Sequence, residues 1–540
     1  MSALTGGVFR TLRPIDFASG AVSVGDIDTI ASGFVSTAVG AGAQALQYQS
    51  LAVGNLAVAF SYQSIAIGPG AQSLEAQTTA IGQGAVVEAG CNSGMAVGYN
   101  AHLYAGASSA VALGSGASSV AAESIAILSQ ITVNGTQQVI IGRSSDSAGT
   151  GLNVLVGANS HVTGGGRNIV IGSSSQTDSD DTIVIGTGAQ VSSVTSTAIG
   201  AGATVDATCI ESIAIGGGGS GAHVVASSNY AIALGSGSYV DGGGTNGGDE
   251  SICIGHDAHT RGLQTIRIGT GGNASPDWAI FIGTNILNTV NAAESICIGY
   301  LTSVIDKGVT IGSHAAGSSD SVTLGLLSLT QAVRSVAIGS TAHVFIGSSA
   351  TESIAIGYLA AVNDAINTTT SNQSIAIGMT ATVIGSHSVS IGHLAAVGAA
   401  TQESDDCIAI GYLASVLGLT HDAIAIGHSA IVNTNCDNGI AMGNGATLPI
   451  GASFSQAYGY GATPSGPHEV VFGSLTGSID TFGALSTLFP TANTLFSFSA
   501  GKISGIYDTA FTLMFMNTLG NVVAQQVKID GVTGFLHVNP

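Results

Sequence analysis

Ser64-Ile65-Ala66-Ile67-Gly68 returns, with small changes, about every fifteen residues through most of the chain. Near-identical copies stand at Ser212 to Gly216, Ser353 to Gly357 and Ser374 to Gly378, with a looser one at Ala423 to Gly427. The closing glycines, among them Gly54, Gly68, Gly82, Gly216, Gly357, Gly378 and Gly427, keep a beat that only Leu128 leaves unfilled. About thirty such units, spaced by roughly fourteen to sixteen residues, mean a solenoid. Within a unit, side chains alternate along an extended segment, so Ile65 and Ile67 share one face while Ser64 and Ala66 share the other. The paired isoleucines (Ile65 and Ile67, Ile213 and Ile215, Ile354 and Ile356, Ile375 and Ile377) are expected to form the core of the repeat. A strand apolar on one face and small on the other is usually covered on both, which points to a second chain on the outer face. After the glycine a second alternation follows, as in Gly40-Ala41-Gly42-Ala43-Gln44-Ala45, so each unit holds two short strands. The glycine supplies the positive φ of the reversal. Dense glycine among β-branched residues, without a 3.6-residue rhythm, excludes helix.

The SIAIG core, followed by alanine three places after the glycine (Ala43, Ala57, Ala71, Ala85, Ala342, Ala360, Ala381, Ala395, Ala414), resembles the head repeat of the YadA-type trimeric autotransporter adhesins. The resemblance covers roughly residues 34 to 475. It implies an all-β, left-handed parallel β-roll with three chains side by side, a homotrimer. Similar repeats occur in fibres of bacteriophages and other viruses. Coils stacked about 4.8 Å apart give a rod on the order of 140 Å long.

Charged residues make up only 8% of the chain and glycine accounts for 79 positions, a composition of stacked coils rather than of a globular enzyme. Net charge is −21, with lysine only at Lys307, Lys502 and Lys528, so no surface is available to neutralise a run of nucleic-acid phosphates. The six cysteines (Cys91, Cys209, Cys253, Cys297, Cys407, Cys436) have no CxxC spacing. Cys253 and Cys297 replace the central alanine of the strand, so they read as small buried residues, and unpaired thiols fit assembly in a reducing cytoplasm. Met1 to Gly20 has no signal-peptide core, no run reaches the length of a membrane span, and no stalk heptads or aromatic-ended barrel strand appear. These features favour a virion fibre over a bacterial surface anchor, with a protein that is not membrane-embedded.

Three parts are expected: residues 1–33, an attachment segment or a cap; 34–475, the shaft; and 476–540, a β-rich tip or trimerisation domain in which Val522 to Ile529 and Val532 to Val538 form a hairpin. Aromatics such as Phe482, Phe489, Phe511 and Phe515 are expected to form the core and chain interface of the tip. Where the beat swells, Asp241 to Asp249 and Asn367 to Asn372 read as loops, either tolerated insertions or contact sites. No nucleotide-binding loop, HExxH or GxSxG element stands in a suitable context, so no catalytic, cofactor-binding or metal residue is nominated and the chain is read as a non-enzyme. His256, His393 and His428 directly follow their glycines, whereas His102, His161 and His343 come four places after. In a trimer such a position gathers three imidazoles near the axis, while solvated turn histidines are the plain alternative. Asp178 to Asp181 and Glu403 to Asp406 read as acidic turns, solvated or weakly binding Ca²⁺. The expected function is a structural fibre of a virion, a phage tail or capsid fibre, that joins the particle at one end and a host cell-surface glycan or protein at the other. The head of a bacterial adhesin is the alternative, and an ice-binding solenoid and a glycan-cleaving tailspike are minor ones.

Overall fold

The computed structural model describes residues 20–473, apart from 150, 219–220, 226, 243–247, 272, 275, 289–291, 346–351, 364–372 and 399–403. Beyond 473 it describes the strands Ser497–Ser499, Lys502–Ser504, Phe511–Met516, Val522–Ile529 and Leu536–Val538. The described residues form a parallel β-solenoid of about 27 turns and include no helix. They fall into two compact units, Met1–Asn285 and Ile286–Pro540.

Each coil carries one long strand and one short strand. In the founding repeat the long strand is Ile65–Ile67 and the short one Gln72–Ser73. Ile65, Ala66 and Ile67 stand in register over Thr79, Ala80 and Ile81 of the next coil, and Gln72 and Ser73 over Val86 and Val87. Hydrogen bonds run in both directions: the Ile65 amide donates to Thr78 O at 2.8 Å and the Gly68 amide to Val53 O at 2.7 Å. Strands such as these are thereby paired on both edges, which a single coil cannot achieve.

The interior is narrow, and the sequence says so once the faces are assigned. Ser64, Ala66, Ala71 and Ser73 all point inward and are fully buried. The alanines three places after the glycine, from Ala43 to Ala414, are buried likewise. Ala66 thus takes the interior place expected for the isoleucines, while Ile65 and Ile67 stand on the outside, half-buried. The same pattern holds for Ile213, Ile354, Ile356, Ile375 and Ile377, and Ile215 is exposed. The reason is steric: two sheets joined by such tight turns leave room for methyl and hydroxymethyl groups, not for paired sec-butyl chains. Two coils trade interior volume between neighbouring places. Where Leu103 enters the core, Gly94 replaces the usual serine, and a Cβ on Gly94 would lie 2.6 Å from Leu103 Cδ1. Gly439 and Leu448 repeat this exchange in the second unit, at 2.5 Å.

The turn glycines answer two constraints. Gly68 has φ +129°, and a Cβ there would lie 2.5 Å from the carbonyl oxygen of Gly82 in the next coil. Gly54, Gly82, Gly357, Gly378 and Gly427 share the positive φ; Gly216 does not, and is held to glycine by the carbonyl of Gly235 alone. Leu128 occupies the same place in its coil with φ 91°, a left-handed backbone under a bulky side chain.

The first coil begins earlier than residue 34, since Val22–Val24 already pairs in parallel with Thr37–Val39. Most of the segment expected to attach or cap, residues 1–19, lies outside the described residues. In the second unit, insertions leave the ladder intact: Ala337, Ala355 and Ala376 stay in register although the beat swells between them. The parallel order ends at Glu469–Phe472, which pairs antiparallel with Ser497–Ser499. Val522–Ile529 pairs antiparallel with Phe511–Met516 and with Leu536–Val538, the latter being the hairpin expected from the sequence. The aromatic core expected for residues 476–540 rests on side chains outside the described ones, and so does the loop Asn367 to Asn372.

Candidate binding faces

The two sheets present very different outer surfaces. Along the long strands of the first unit the outward residues are Leu51 and Val53, Ile65 and Ile67, Val111 and Leu113, Ile183 and Ile185, continuing coil after coil. All are half-buried or exposed, and Ile169 and Ile171 are 39% and 40% exposed. Along the short strands the outward position holds Gln44, Gln72, His102, Asp146, Gln176 and Gln190, so that face is polar. In the first unit the long-strand flank is mainly apolar and the short-strand flank mainly polar, with Val58 and Val86 as apolar exceptions on the latter.

Two further rows run along the coil edges. Two residues ahead of each long strand sits a non-glycine residue with positive φ, such as Gln49, Gln63 and Gln77. Their side chains form a ladder: Gln63 Nε2 donates to Gln49 Oε1 at 2.9 Å, Gln77 Nε2 to Gln63 Oε1 at 3.3 Å and Gln137 Nε2 to Glu123 Oε2 at 2.8 Å. Arg167 and Asp181 make a two-pronged ion pair at the same position. Carboxylates clamp the backbone of an adjoining coil: Glu75 accepts from the Gly90 amide at 2.8 Å, Asp249 from Asn229 at 2.6 Å and Asp437 from His421 at 2.9 Å. The amides of Gly90 and Ala76 hold the Glu75 carboxyl below its usual range.

These clamps explain the acidic turns. Asp180 accepts from the Gly166 amide at 2.8 Å, and Asp181 is engaged by Arg167. Asp405 accepts from the Ser386 amide at 2.6 Å, and Asp406 lies 3.6 Å from His387. The two turns spend carboxylates on coil-to-coil contacts rather than gathering them around one point, and Glu403 lies outside the described residues. No group of three or more His, Cys, Asp or Glu able to hold a metal ion is found among the described residues.

The histidine registers separate. His102, His161 and His343 open short strands, joined there by His223 and His259, which sequence reasoning passed over although His259 stands four places after Gly255. Several lean on a carboxylate one coil back: His102 Nε2 lies 2.8 Å from Glu88 Oε1 and His223 Nε2 lies 3.0 Å from Asp206 Oδ1. His393 and His428, directly after their glycines, flank Tyr412 in an exposed column with ring centroids 5.2 and 5.0 Å from it. A third row stacks Phe34, Tyr48 and Tyr62 at 5.8 and 5.6 Å.

In the first unit the wet face opens into a hollow of about 340 Å³ lined by Gly202, Thr204, Gly221, His223, Gly237, Tyr239, Asp257 and His259. Gly202, Gly221 and Gly237 line it at the place where other coils carry Leu56, Asn100 or Gln130, a place that is glycine also at Gly42, Gly70 and Gly84. Thr204, His223, Tyr239 and His259 stand one above another in strand register and form its wall.

All six cysteines are buried and none is in a disulfide. Burial pushes the thiol of Cys407 up to about 12 and those of Cys209 and Cys253 up to about 11, so they are protonated and unreactive at neutral pH. A different buried residue escaped the sequence reading. Arg267 takes the place of the central alanine in Ile266–Ile268, enclosed between Cys253 and Phe281 in register, with Nη2 donating to Gly271 O.

A coil with a long and a short strand, a Cβ-free turn and an alanine three places on is the arrangement that the profile of the YadA head domain repeat describes, and that profile matches residues 31–57, 61–85 and 178–203. The chain carries YadA head repeats. No curated protein matches the sequence. The YadA head repeat belongs to surface adhesins, so the function this match supports is adhesion. The coils between and beyond the matched segments keep the YadA-like register of strands, although their sequence drifts.

Proposed function

We propose that the chain is a homotrimeric fibre subunit of a virion, a phage tail or capsid fibre, which holds the particle at one end and adheres to a host surface at the other without catalysis. The observation that carries this reading is the largely apolar flank that the long strands of the first unit present. A monomer leaves Ile169, Ile171 and Ile215 partly in water, and recurrent exposed apolar surface of this kind marks an interaction face. Side-by-side packing of three copies covers that flank and leaves the polar flank outward. Contacts on the polar flank then recur along three chains, so modest affinities act together.

The six buried thiols support assembly in a reducing compartment, where a chain with this many cysteines outside disulfides avoids random oxidation before folding. The second reading, the head of a bacterial autotransporter adhesin, draws its support from the YadA match itself. The mass of the purified protein in solution tests the trimer: the expected value is three times 52.9 kDa, and a single-chain mass overturns it. Antibody labelling separates the two settings, with decoration of intact virions expected and decoration of a bacterial envelope alone replacing the virion reading.

A further inference from the structure

We infer that the hollow on the wet face of the first unit is a saccharide-binding site that accepts a neutral hexose-containing glycan. The proposal deepens the adhesive reading above by naming what the outward flank holds. Three features of the hollow carry it.

The wall is a continuous run of rings. Tyr239 lies between His223 and His259, its ring centroid 5.2 Å from the one and 5.3 Å from the other. Tyr239 meets His223 edge-on at 89° and is tilted 47° to His259, so a pyranose has the Tyr239 ring to pack its C–H side against. At the base, Gly202 carries no side chain and a Cβ there would meet only Gly221 N at 3.8 Å, so the backbone is open to a flat ring, while the Asp257 carboxylate covers Gly237. Hydrogen-bonding groups sit on both margins. On the floor side, the Asp257 carboxylate reaches over Gly237 and lies 3.2 Å from His256 Nδ1. On the far side, Asp206 holds His223, and Asp241 pairs with Arg261 at 3.0 Å. Carboxylates and imidazoles beside an aromatic ring are the donors and acceptors that sugar hydroxyls need.

Size and charge narrow the class. At about 340 Å³ the hollow falls at the small end of the ~300–1,000 Å³ range of compact ligand sites, which suits one or two sugar rings rather than a folded partner. Three aspartates against one arginine, on a chain of net charge −21, disfavour sialylated or phosphorylated glycans.

The test uses the full chain and immobilised short gluco-, galacto- and manno-oligosaccharides, with a sialylated set beside them. Retention of at least one neutral probe is expected, weakened about tenfold by Tyr239→Ala and largely kept by Tyr239→Phe, which preserves the ring face. Gln72→Ala, on the same wet flank but away from the hollow, should leave retention unchanged. Equal retention by Tyr239→Ala, retention of sialylated probes alone, or retention of no neutral probe overturns the proposal. A trimer that retains no neutral probe leaves the fibre reading standing, and a monomer that retains one does the reverse.

Discussion

At the residue scale, one atom decides whether coils can stack. A Cβ at Gly68 meets the carbonyl oxygen and carbon of Gly82 at 2.5 and 2.6 Å, and backbone cannot move aside as a flexible side chain would. Gly68→Ala is therefore expected to destabilise its neighbourhood by about 2–4 kcal/mol, from strain at positive φ plus displacement of the next coil. Leu128 sits in the same backbone geometry without being glycine, so Leu128→Gly should run the other way and gain about 1 kcal/mol. Amide hydrogen exchange of the flanking strands reads both changes locally. Equal protection in the two variants would show that the turn is not what limits stacking. The glycine beat was legible in the sequence for this reason: a backbone constraint repeated about thirty times cannot be mistaken for chance. The isoleucines were harder to place. Alternation establishes that Ile65 and Ala66 face opposite ways, but which way is inward depends on the spacing between two sheets, and that spacing is a tertiary quantity.

At the scale of the coil, edges are held by carboxylates that reach to a neighbouring turn. Glu75 is held below its usual pKa first by the Gly90 amide and then by that of Ala76, and Asp181 is held low by Arg167. A carboxyl whose folded pKa is depressed stabilises the fold above the unfolded value, about 4, and loses that contribution as pH falls through the folded value. Melting temperature should hold steady near neutral pH and drop below about pH 4, with Glu75→Gln showing a smaller drop than the parent. A melting temperature that rises on acidification would refute the clamps. The acidic turns were visible in the sequence as charge clusters, yet their role was not, because the acceptor they serve is a backbone amide in an adjoining coil. Arg267 was invisible for the opposite reason: it breaks the pattern at a single coil, and the pattern gives no account of its own exceptions.

At the scale of the whole molecule, the contrast between flanks can be read chemically. The native thiols are buried and protonated, so an introduced cysteine reports on its own position. Cysteine placed at Ile67, Ile215 or Ile377 is expected to react with a water-soluble maleimide at least about tenfold more slowly than cysteine placed at Gln72 or Gln190. Equal rates would mean that the apolar flank stands bare. The rings of the hollow belong to this scale too: His223, Tyr239 and His259 lie far apart in sequence and become neighbours only when the coils are stacked. His259 keeps the four-place register of His102, His161 and His343, whereas His223 stands seven places after Gly216, so the sequence alone does not align the two.

The change of strand direction after Glu469–Phe472 has a bearing on growth. Parallel coils present an open ladder at their ends, an invitation to further copies end to end. An antiparallel partner at Ser497–Ser499 occupies that ladder with the wrong polarity for another coil. Growth by further parallel coils is thereby opposed on that side of the second unit.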